Sequence, residues 1–354
     1  MLIPPKLKKG DRVAIVSLSS GMLGEDFCSH NIEIGVRRLR ELGLEPVFMP
    51  NALKGIAFLK DHPEKRAEDL KAAFLDNEIK GIICAIGGDD TYRTLPYLME
   101  DYEFTQAVHD TPKLFTGFSD TTINHLMFYR LGMQTFYGPN FICDLGEIAG
   151  EMLPYTKEAF LSYLEENIQK DIRPSKVWYE ERRDFSKAAV GTERVTHREG
   201  HGFELLQGPE RFRGELLGGC LESLYDILSS ARYADQREIC ERYHIFPSLD
   251  EWKGKILFVE TSEEKPEPEL VRKELEALRA KGVFDAVSGI IVGKPQDEQF
   301  YEEYKLIYKE VVDNPGLPIL YNVNFGHALP RTVLPYGTCV QVNAKEQIIS
   351  FKDM

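Results

Sequence analysis

The sequence predicts an α/β protein with a Rossmann-like parallel sheet in its N-terminal part and a smaller α/β domain in its C-terminal part. Short apolar runs rich in β-branched residues alternate with amphipathic helical patterns, the order expected for parallel strands joined by helices. The chain has 354 residues, enough for two domains, and 43% of them are hydrophobic, which can supply a substantial core.

The N-terminal elements follow one another as strand, helix and strand. Residues 13–16 form the first predicted strand, and Ile32, Val36 and Leu39 lie on one face of a helix that Gly43 ends. The segment LEPVFMP is the next strand. The later elements are a helix with Ala67, Leu70 and Phe74 on one face and strands in GIICAIGG, KLFTGF and QTFYGPN.

Three segments are expected along the chain. Residues 1–165 form the Rossmann-like domain, 166–213 an irregular, charged linker or cover, and 214–354 the C-terminal domain. In this last part, strands are predicted in GKILFVE, SGIIVGK, LPILYNVNFGH and TCVQVNAKEQIISF, and a helix carries Val271, Leu275 and Leu278 on one face.

Composition excludes several classes of function. The 43 basic and 57 acidic residues give a net charge of −14, and without a dense Lys/Arg cluster nucleic acid is not an expected partner. The first apolar run is too short for a signal peptide or a membrane span, so a cytoplasmic protein without a membrane partner is predicted. The six cysteines form no CxxC pair and HExxH is absent, so we expect no metal and no cofactor.

The segment GFSDTT places a serine between a predicted buried strand and a helix. Gly117 lies two residues before Ser119 and the small residue Thr121 lies two after it. Hydrolases present a nucleophilic serine at a sharp strand-to-helix turn of this kind. A serine that only caps the helix has the same local pattern, so both interpretations stay open.

A nucleophilic serine needs a base and an acceptor that orients the base. Glu260 ends the strand GKILFVE, and His327 follows the apolar run LPILYNVNF. Residues that follow parallel strands meet at one edge of a sheet, so both are candidates. Each also has a simpler explanation, Glu260 as a solvated strand-end carboxylate and His327 as a loop histidine.

Acyl transfer also needs donors for the developing oxyanion. The backbone N–H of Asp120 follows the serine directly, and Gly87 and Gly88 in CAIGGDD allow close backbone approach. A plain turn is the alternative for the glycine pair. Cys84 and Cys220 are alternative nucleophiles, although buried structural thiols would have the same pattern.

Six separated motifs together resemble the LD-carboxypeptidase family of serine peptidases, including its microcin C self-immunity branch. They are LKKGDRVAIVSLSSG, RAEDLKAAFLDNEIKGIICAIGGDDTYRTLPYL, GFSDTTINHLMFYRLGMQTFYGPNF, RGELLGGCLESLYDIL, GKILFVETSEE and NFGHALPRTVLPYG. The resemblance implies that Ser119 is the nucleophile, Glu260 the acid and His327 the base. It further implies metal-free catalysis and a homodimer whose active site lies between the domains.

The sequence departs from the family pattern at GGDDTY and at Cys220, which follows a glycine pair where GGN is common. These departures and the long segment VWYEERRDF favour the immunity branch, in which Trp178 would stack on a nucleobase. A packing tryptophan is the alternative. Arg93 and Arg331 are candidates for binding a substrate carboxylate, or are surface cations.

Three functional hypotheses follow. The first is hydrolysis of an amide bond in a small peptide or peptidyl-nucleotide substrate, either a murein tetrapeptide or an antibiotic conjugate such as microcin C. The second is a catalytically idle member that binds peptides or nucleotides, against which the three retained residues argue. The third, a thiol-dependent amidotransferase, would need a cysteine where Ser119 stands.

Overall fold

The computed structural model describes residues 1–166 and 171–351. Its strands are β1 (Arg12–Val16), β2 (Glu45–Phe48), β3 (Ile79–Cys84), β4 (Leu114–Gly117), β5 (Phe136–Tyr137), β6 (Asp171–Ile172), β7 (Val177–Tyr179), β8 (Thr196–Arg198), β9 (Glu204–Gln207), β10 (Arg211–Cys220), β11 (Ile256–Glu260), β12 (Gly289–Gly293), β13 (Ile319–Val323), β14 (Leu334–Pro335), β15 (Cys339–Asn343) and β16 (Ile348–Phe351).

The α-helices connect these strands and cover the sheets. They are α1 (Ser29–Glu41), α2 (Ile56–Asp61), α3 (Pro63–Leu75), α4 (Leu95–Met99), α5 (Tyr102–Asp110), α6 (Thr121–Arg130), α7 (Pro154–Leu161), α8 (Leu221–Ser229), α9 (Gln236–Arg242), α10 (Leu249–Trp252), α11 (Pro268–Ala280), α12 (Val283–Ala286) and α13 (Tyr301–Val312).

The first sheet confirms the predicted parallel arrangement. Within the described ranges its order is β14-β5-β4-β3-β1-β2, and β5, β4, β3, β1 and β2 pair in parallel. Its central strands are mainly apolar and are buried on both faces except at Arg12 in β1 and Lys80 in β3, as expected when helices cover a parallel sheet. The C-terminal strand β14 adds to its edge antiparallel to β5.

The second sheet has a parallel centre with antiparallel edges. In the part of the chain that the structure describes, its order is β6-β16-β15-β10-β11-β12-β13-β9, eight strands against six in the first sheet. The strands β10 to β13 pair in parallel, and β10, β11 and β12 are followed by α8, α11 and α13. The C-terminal sheet is therefore the wider of the two, because short strands from the middle of the chain and from the C-terminus extend it.

Short strands also occur in the segment predicted to be irregular. The strands β7 and β8 form a separate two-stranded sheet, and β9 pairs antiparallel with β13 of the second sheet. Each has only three or four residues, too few to produce a visible alternation in the sequence. Residues 167–170 of the expected linker lie outside the described residues.

The two sheets bring several strand ends together. The chain leaves β3 toward Gly87, leaves β4 toward Ser119, and ends β11 at Glu260. In open α/β sheets, ligands bind beyond the carboxyl ends of the strands. Across residues 1–166 and 171–351, every helix is too short or too polar to cross a bilayer.

Candidate active site

Ser119 lies in a sharp turn between β4 and α6. Its φ is 70°, in the left-handed region that residues other than glycine seldom adopt. The turn leaves the side chain partly accessible at the wall of a cavity. A strained turn of this kind occurs where a hydrolase presents its nucleophile, and a helix cap does not require it.

Gly87 lies against this serine. A Cβ at position 87 would come within 2.6 Å of the Ser119 Cβ and 2.9 Å of its Oγ, so a larger residue does not fit without a shift. Gly88 likewise lies against Ser19, whose Oγ would be 2.3 Å from an added Cβ. The glycine pair therefore permits the close backbone approach that an oxyanion hole needs.

His327 and Glu260 form a buried pair. The Nδ1 atom of His327 lies 2.8 Å from Glu260 Oε2, and the backbone N–H of His327 donates to the same oxygen at 3.1 Å. Gly326 has φ 84°, and a Cβ there would lie 2.3 Å from the Glu260 Cδ, so the backbone can pass over the carboxylate only with glycine at this position.

The pair holds a proton on the imidazole. Burial lowers the pKa of His327, but the attraction of Glu260, with smaller contributions from Glu263 and Glu222, outweighs it and raises the pKa to about 9. By contrast, burial lowers the pKa of His125 to about 3, and its two ring nitrogens lie 2.8 Å from the Thr135 hydroxyl and 3.0 Å from a backbone carbonyl. His125 thus has a structural role.

Tyr137 connects the serine turn to this pair. Its buried hydroxyl accepts the backbone N–H of Ser119 at 3.1 Å and donates to Glu260 Oε1 at 2.5 Å. The segment QTFYGPN predicts only a strand, and a tyrosine in a buried strand has the same pattern as a core residue, so this connection could not be found from the sequence.

Glu263 occupies the other side of the imidazole. Its Oε2 lies 3.1 Å from Nε2 of His327, and its side chain is 54% exposed. Since Nδ1 faces Glu260, Nε2 is the nitrogen available for proton transfer with a substrate or a serine. Glu263 would therefore have to release Nε2 for His327 to act as a base, the role predicted from the sequence.

A cavity of about 530 Å³ opens beside these groups, and Ser119 and His327 both line it. Its wall carries the aromatic rings of Phe27 and Phe185. Three further lining residues each have a buried donor that finds no acceptor within the described ranges; these atoms are Asn140 Nδ2, Arg182 Nε and Arg331 Nε. A ligand with both an apolar ring and hydrogen-bond acceptors would satisfy this wall.

Arg331 lies in this wall, and Asp120 lies in the serine turn. Arg331 is buried, forms an ion pair with Asp144 at 3.2 Å, and donates to the backbone carbonyl of His327 at 3.0 Å. Asp120 precedes α6, and its Oδ2 accepts from Ser19 Oγ at 2.5 Å. The structure therefore brings both candidates to the site.

Trp178 and Arg93 are not brought to the cavity. Trp178 stacks on His197 with ring centroids 4.2 Å apart, and the Lys294 ammonium lies 5.3 Å from its ring centroid. Arg93 lies over the ring of Tyr233 at 5.0 Å. Trp178 thus packs within the β7–β8 sheet, which corresponds to the alternative left open by the sequence.

Phe185 is the aromatic residue of the same segment that does line the cavity. Its side chain is 55% exposed, unusual for a large apolar residue unless a ligand or partner covers it. The segment VWYEERRDF contains both aromatic residues. Its sequence alone could not indicate which of them faces the cavity.

One group of side chains has the spacing of a metal site. Among the described residues, only Cys220, Glu260 and His327 place ligand atoms within 4.8 Å of one another. Each is already engaged, since the Cys220 thiol donates to Glu222 Oε2 at 3.2 Å and Glu260 binds His327. Burial raises the pKa of the Cys220 thiol well above its ordinary value, which disfavours the thiolate needed by a nucleophile or a metal ligand.

The chain is similar along most of its length to several known proteins. A MccF-like protein from Streptococcus pneumoniae, solved in complex with AMP, is 51% identical, with a TM-score of 0.93 over 97% of this chain and 98% of that one. The microcin C7 self-immunity protein MccF of Escherichia coli is 26% identical over 82% of this chain and 78% of its own length. A Bacillus subtilis (strain 168) protein named a probable murein peptide carboxypeptidase is 26% identical over 97% of this chain and 92% of its own.

Family models cover both halves of the chain. The LD-carboxypeptidase N-terminal domain matches residues 13–138, which include the serine turn, and the LD-carboxypeptidase C-terminal domain matches residues 213–342, which include Glu260 and His327. The chain is therefore a peptidase that belongs to the LD-carboxypeptidase family, and its similarities include the MccF-like branch.

Proposed function

We propose that the protein is a serine hydrolase that cleaves the bond between an aminoacyl or peptidyl group and a nucleotide-like leaving group. The observation that carries this proposal is the cavity beside Ser119 and His327, whose wall combines aromatic rings with unpaired buried donors. Its volume lies within the usual range for small-molecule sites, about 300–1,000 Å³. The bound AMP of the S. pneumoniae protein supports the same class of ligand.

Chemically, the Ser119 hydroxyl attacks the acyl carbonyl while Nε2 of His327 takes its proton. Glu260 holds Nδ1–H and stabilises the imidazolium that forms. The N–H groups of Gly87, Gly88 and Asp120 are the proposed donors to the oxyanion. His327 then protonates the leaving nitrogen, and water hydrolyses the acyl-enzyme by the same proton transfers in reverse.

The leaving group occupies the cavity in this proposal. Phe185 stacks on the base, which an exposed ring on the wall can do at little cost to the fold. Arg182 and Arg331, whose side chains line the cavity, donate to acceptors of the sugar or of the phosphate or sulfamate link.

The test is incubation of purified protein with an aminoacyl-sulfamoyl adenosine and, separately, with a murein tetrapeptide, followed by mass spectrometry. We expect release of sulfamoyl adenosine, and we expect Ser119→Ala and His327→Ala each to abolish turnover. The double variant should lose little more, because residues that act as a unit are not additive. Cleavage of the murein peptide alone, or full activity of Ser119→Ala, would contradict the proposal.

A binding measurement tests the leaving-group site separately. Phe185→Ala should weaken AMP binding by roughly 1–3 kcal/mol, the range found for base stacking on aromatic residues. Tyr102→Ala, which removes a ring that is 80% exposed and outside the cavity wall, is the matched control and should leave AMP affinity unchanged. Equal AMP affinity in both variants would show that Phe185 does not contribute to nucleotide binding.

A further inference from the structure

A second, smaller recess of about 50 Å³ also borders Ser119. Six carboxyl groups line it, from Asp89, Asp120, Glu222, Asp226, Glu263 and Glu264. Within the described part of the chain, Arg232 is the one cation of this lining, and it is shared between Asp89 at 3.4 Å and Asp226 at 3.2 Å. The recess therefore carries a large excess of acidic groups beside the nucleophile.

The recess also contains acceptors that lack a donor. Gln236 is 1% exposed and lines the recess, and its Oε1 has no hydrogen-bond partner within residues 1–166 and 171–351. Oδ1 of the buried Asp120 likewise has no hydrogen-bond partner among these described residues. Unsatisfied buried acceptors are rare and costly, so they point to a ligand that donates hydrogen bonds here.

The raised pKa values of two lining carboxyl groups favour a cationic ligand. Burial, with neighbouring carboxylates, raises the pKa of Asp120 to about 7, and burial likewise raises the pKa of Asp226 to about 6 despite its contact with Arg232. A positive charge in the recess would relieve both effects.

An ammonium group matches the spacing of these carboxyl groups better than a metal ion does. Of the described residues, none of the recess carboxylates belongs to a group with metal-ligand spacing, a condition met by Cys220, Glu260 and His327 alone. An ammonium donates three hydrogen bonds in different directions and tolerates more widely spaced acceptors. A cavity needs roughly 10–15 Å³ to hold a water, so 50 Å³ accommodates an ammonium with its adjoining carbon.

Glu263 links this recess to the proton-transfer group. It lines both the recess and the larger cavity, and its carboxylate lies 3.1 Å from Nε2 of His327. An ammonium bound in the recess would attract this half-exposed carboxylate away from the imidazole. Nε2 would then be free to face Ser119.

We propose that the recess binds an ammonium group on the acyl side of the scissile bond, so that the enzyme selects amine-bearing acyl groups over acidic ones. This inference rests on the proposed function for its substrate. Residues lining the large cavity have unpaired donors and residues lining the recess have unpaired acceptors. With the leaving group in the cavity, as proposed, the acyl group would therefore lie toward the recess. The ammonium is either the α-amine or a side-chain amine, and the two sources are separated by experiment.

The first experiment compares kcat/KM for matched sulfamoyl adenosine conjugates. Lysyl against norleucyl tests a side-chain ammonium, alanyl against N-acetylalanyl tests the α-ammonium, and a glutamyl conjugate tests exclusion of acid. We expect at least a tenfold preference for the amine-bearing member in at least one pair, and the glutamyl conjugate to be the poorest of the unblocked series. No preference in either pair, or best turnover of the glutamyl conjugate, would overturn the proposal.

Two variants of residues that line the recess test whether the recess causes the preference for amine-bearing conjugates. Glu264→Gln removes an exposed charge, and Gln236→Leu removes a buried acceptor that has no partner in the described structure, so neither should impair folding. Each variant should reduce, at least threefold, the ratio of kcat/KM values between the two conjugates of the pair that shows the preference. Glu276→Gln, an equal charge change at an exposed position outside the recess lining, should leave the ratio unchanged. Unchanged ratios in both recess variants would also overturn the proposal.

A binding experiment separates this inference from the proposed function. Ser119→Ala protein is titrated by NMR with L-lysinamide and with its diacetylated form, neither of which contains a nucleotide. Binding of lysinamide alone, together with no turnover of any conjugate by the wild type, would refute the proposed function and support the recess. Turnover of conjugates without an ammonium preference, and without lysinamide binding, would refute the recess and keep the proposed function.

Discussion

At the scale of single residues, the pKa of His327 depends on the charges around its ring. Glu260 and Tyr137 act through Nδ1, whereas Glu263 acts through Nε2. A proposed base that is protonated below a pKa of about 9 is available only in part at neutral pH. We therefore expect kcat/KM to rise with pH up to about 9. This rising part of the pH profile is its acid limb, and Tyr137 and Glu263 should shift it in opposite directions.

Tyr137→Phe should move the acid limb to higher pH. The variant keeps the ring but removes the hydroxyl that donates to Glu260, so the carboxylate stabilises the imidazolium more strongly. A rise of one pKa unit lowers kcat/KM about tenfold at pH 7, where the neutral base is then scarcer. The pH profile of kcat/KM checks this, and an unmoved or lower limb would show that Tyr137 only packs.

Glu263→Gln should move the same limb to lower pH. Its negative charge favours the protonated imidazole, so its removal lowers the pKa of His327, by about one unit because Glu263 is half-exposed and screened. Glu269→Gln, on the exposed first turn of α11, is the control and should not move the limb. A limb that rises in Glu263→Gln would contradict the contact with Nε2.

The sequence could predict those residues that follow strands. Ser119, Glu260 and His327 each come after an apolar run, and parallel strands place such positions at one edge. Their catalytic roles stay predictions. Phe185 and Glu263 could not be found this way, because each lies in an irregular segment whose path depends on tertiary contacts rather than on periodicity.

At the scale of elements, α8 and α11 bring three acidic side chains close together. Glu222 and Asp226 lie on α8, and the buried Glu274 lies on α11 with its Oε2 unpaired within the described ranges. Burial, followed by the repulsion of Glu222 and Asp226, raises the pKa of Glu274 to about 9. The helices therefore keep one carboxyl protonated in the folded protein at neutral pH.

This arrangement makes stability depend on pH. Between the ordinary pKa of 4.5 and about 9, the folded state holds a proton at Glu274 that the unfolded state has lost, so stability falls as pH rises. Glu274→Gln resembles the protonated form and should match the wild type at pH 5 but exceed it at pH 8 by at least about 1 kcal/mol. Urea unfolding at both pH values measures this, and Glu276→Gln on the same helix is the control. A variant no more stable at pH 8 would refute the assignment.

The elements themselves were predictable to different degrees. The strands β1, β3, β4, β11 and β12 are mainly apolar runs, buried on both faces except at Arg12 and Lys80, and the sequence shows them directly. The short strands between residues 171 and 207 depend on pairing with distant partners, as β9 does with β13. Local sequence contains no signal for such partners.

At the scale of the whole molecule, a buried carboxylate helps to hold residues 180–194, the segment that carries Phe185, against the N-terminal half. Two further contacts do the same: His30 Nε2 lies 3.0 Å from the Phe185 carbonyl oxygen, and the Gly191 N–H donates to the Ile148 carbonyl at 2.7 Å. Glu147 is buried and accepts from Arg182 at 2.8 Å and from Arg194 at 2.8 Å. Burial alone would raise the pKa of Glu147, but the two guanidinium groups keep it below its ordinary value. Arg182 and Arg194 flank the part of the segment that carries Phe185.

Glu147→Gln should loosen this segment without removing any proposed catalytic group. Loss of the charge leaves two guanidinium groups without their carboxylate partner, so the segment should detach more often. Phe185 should then be positioned less well for stacking. We expect KM for the nucleotide conjugate to rise roughly tenfold with a smaller change in kcat, since the contact aids binding more than chemistry. Trypsin should also cleave faster near Arg183 and Lys187. Glu193→Gln, an exposed change on the same segment, is the control. A lower melting temperature with KM and proteolysis unchanged would mean that Glu147 supports the fold generally and does not fasten the segment.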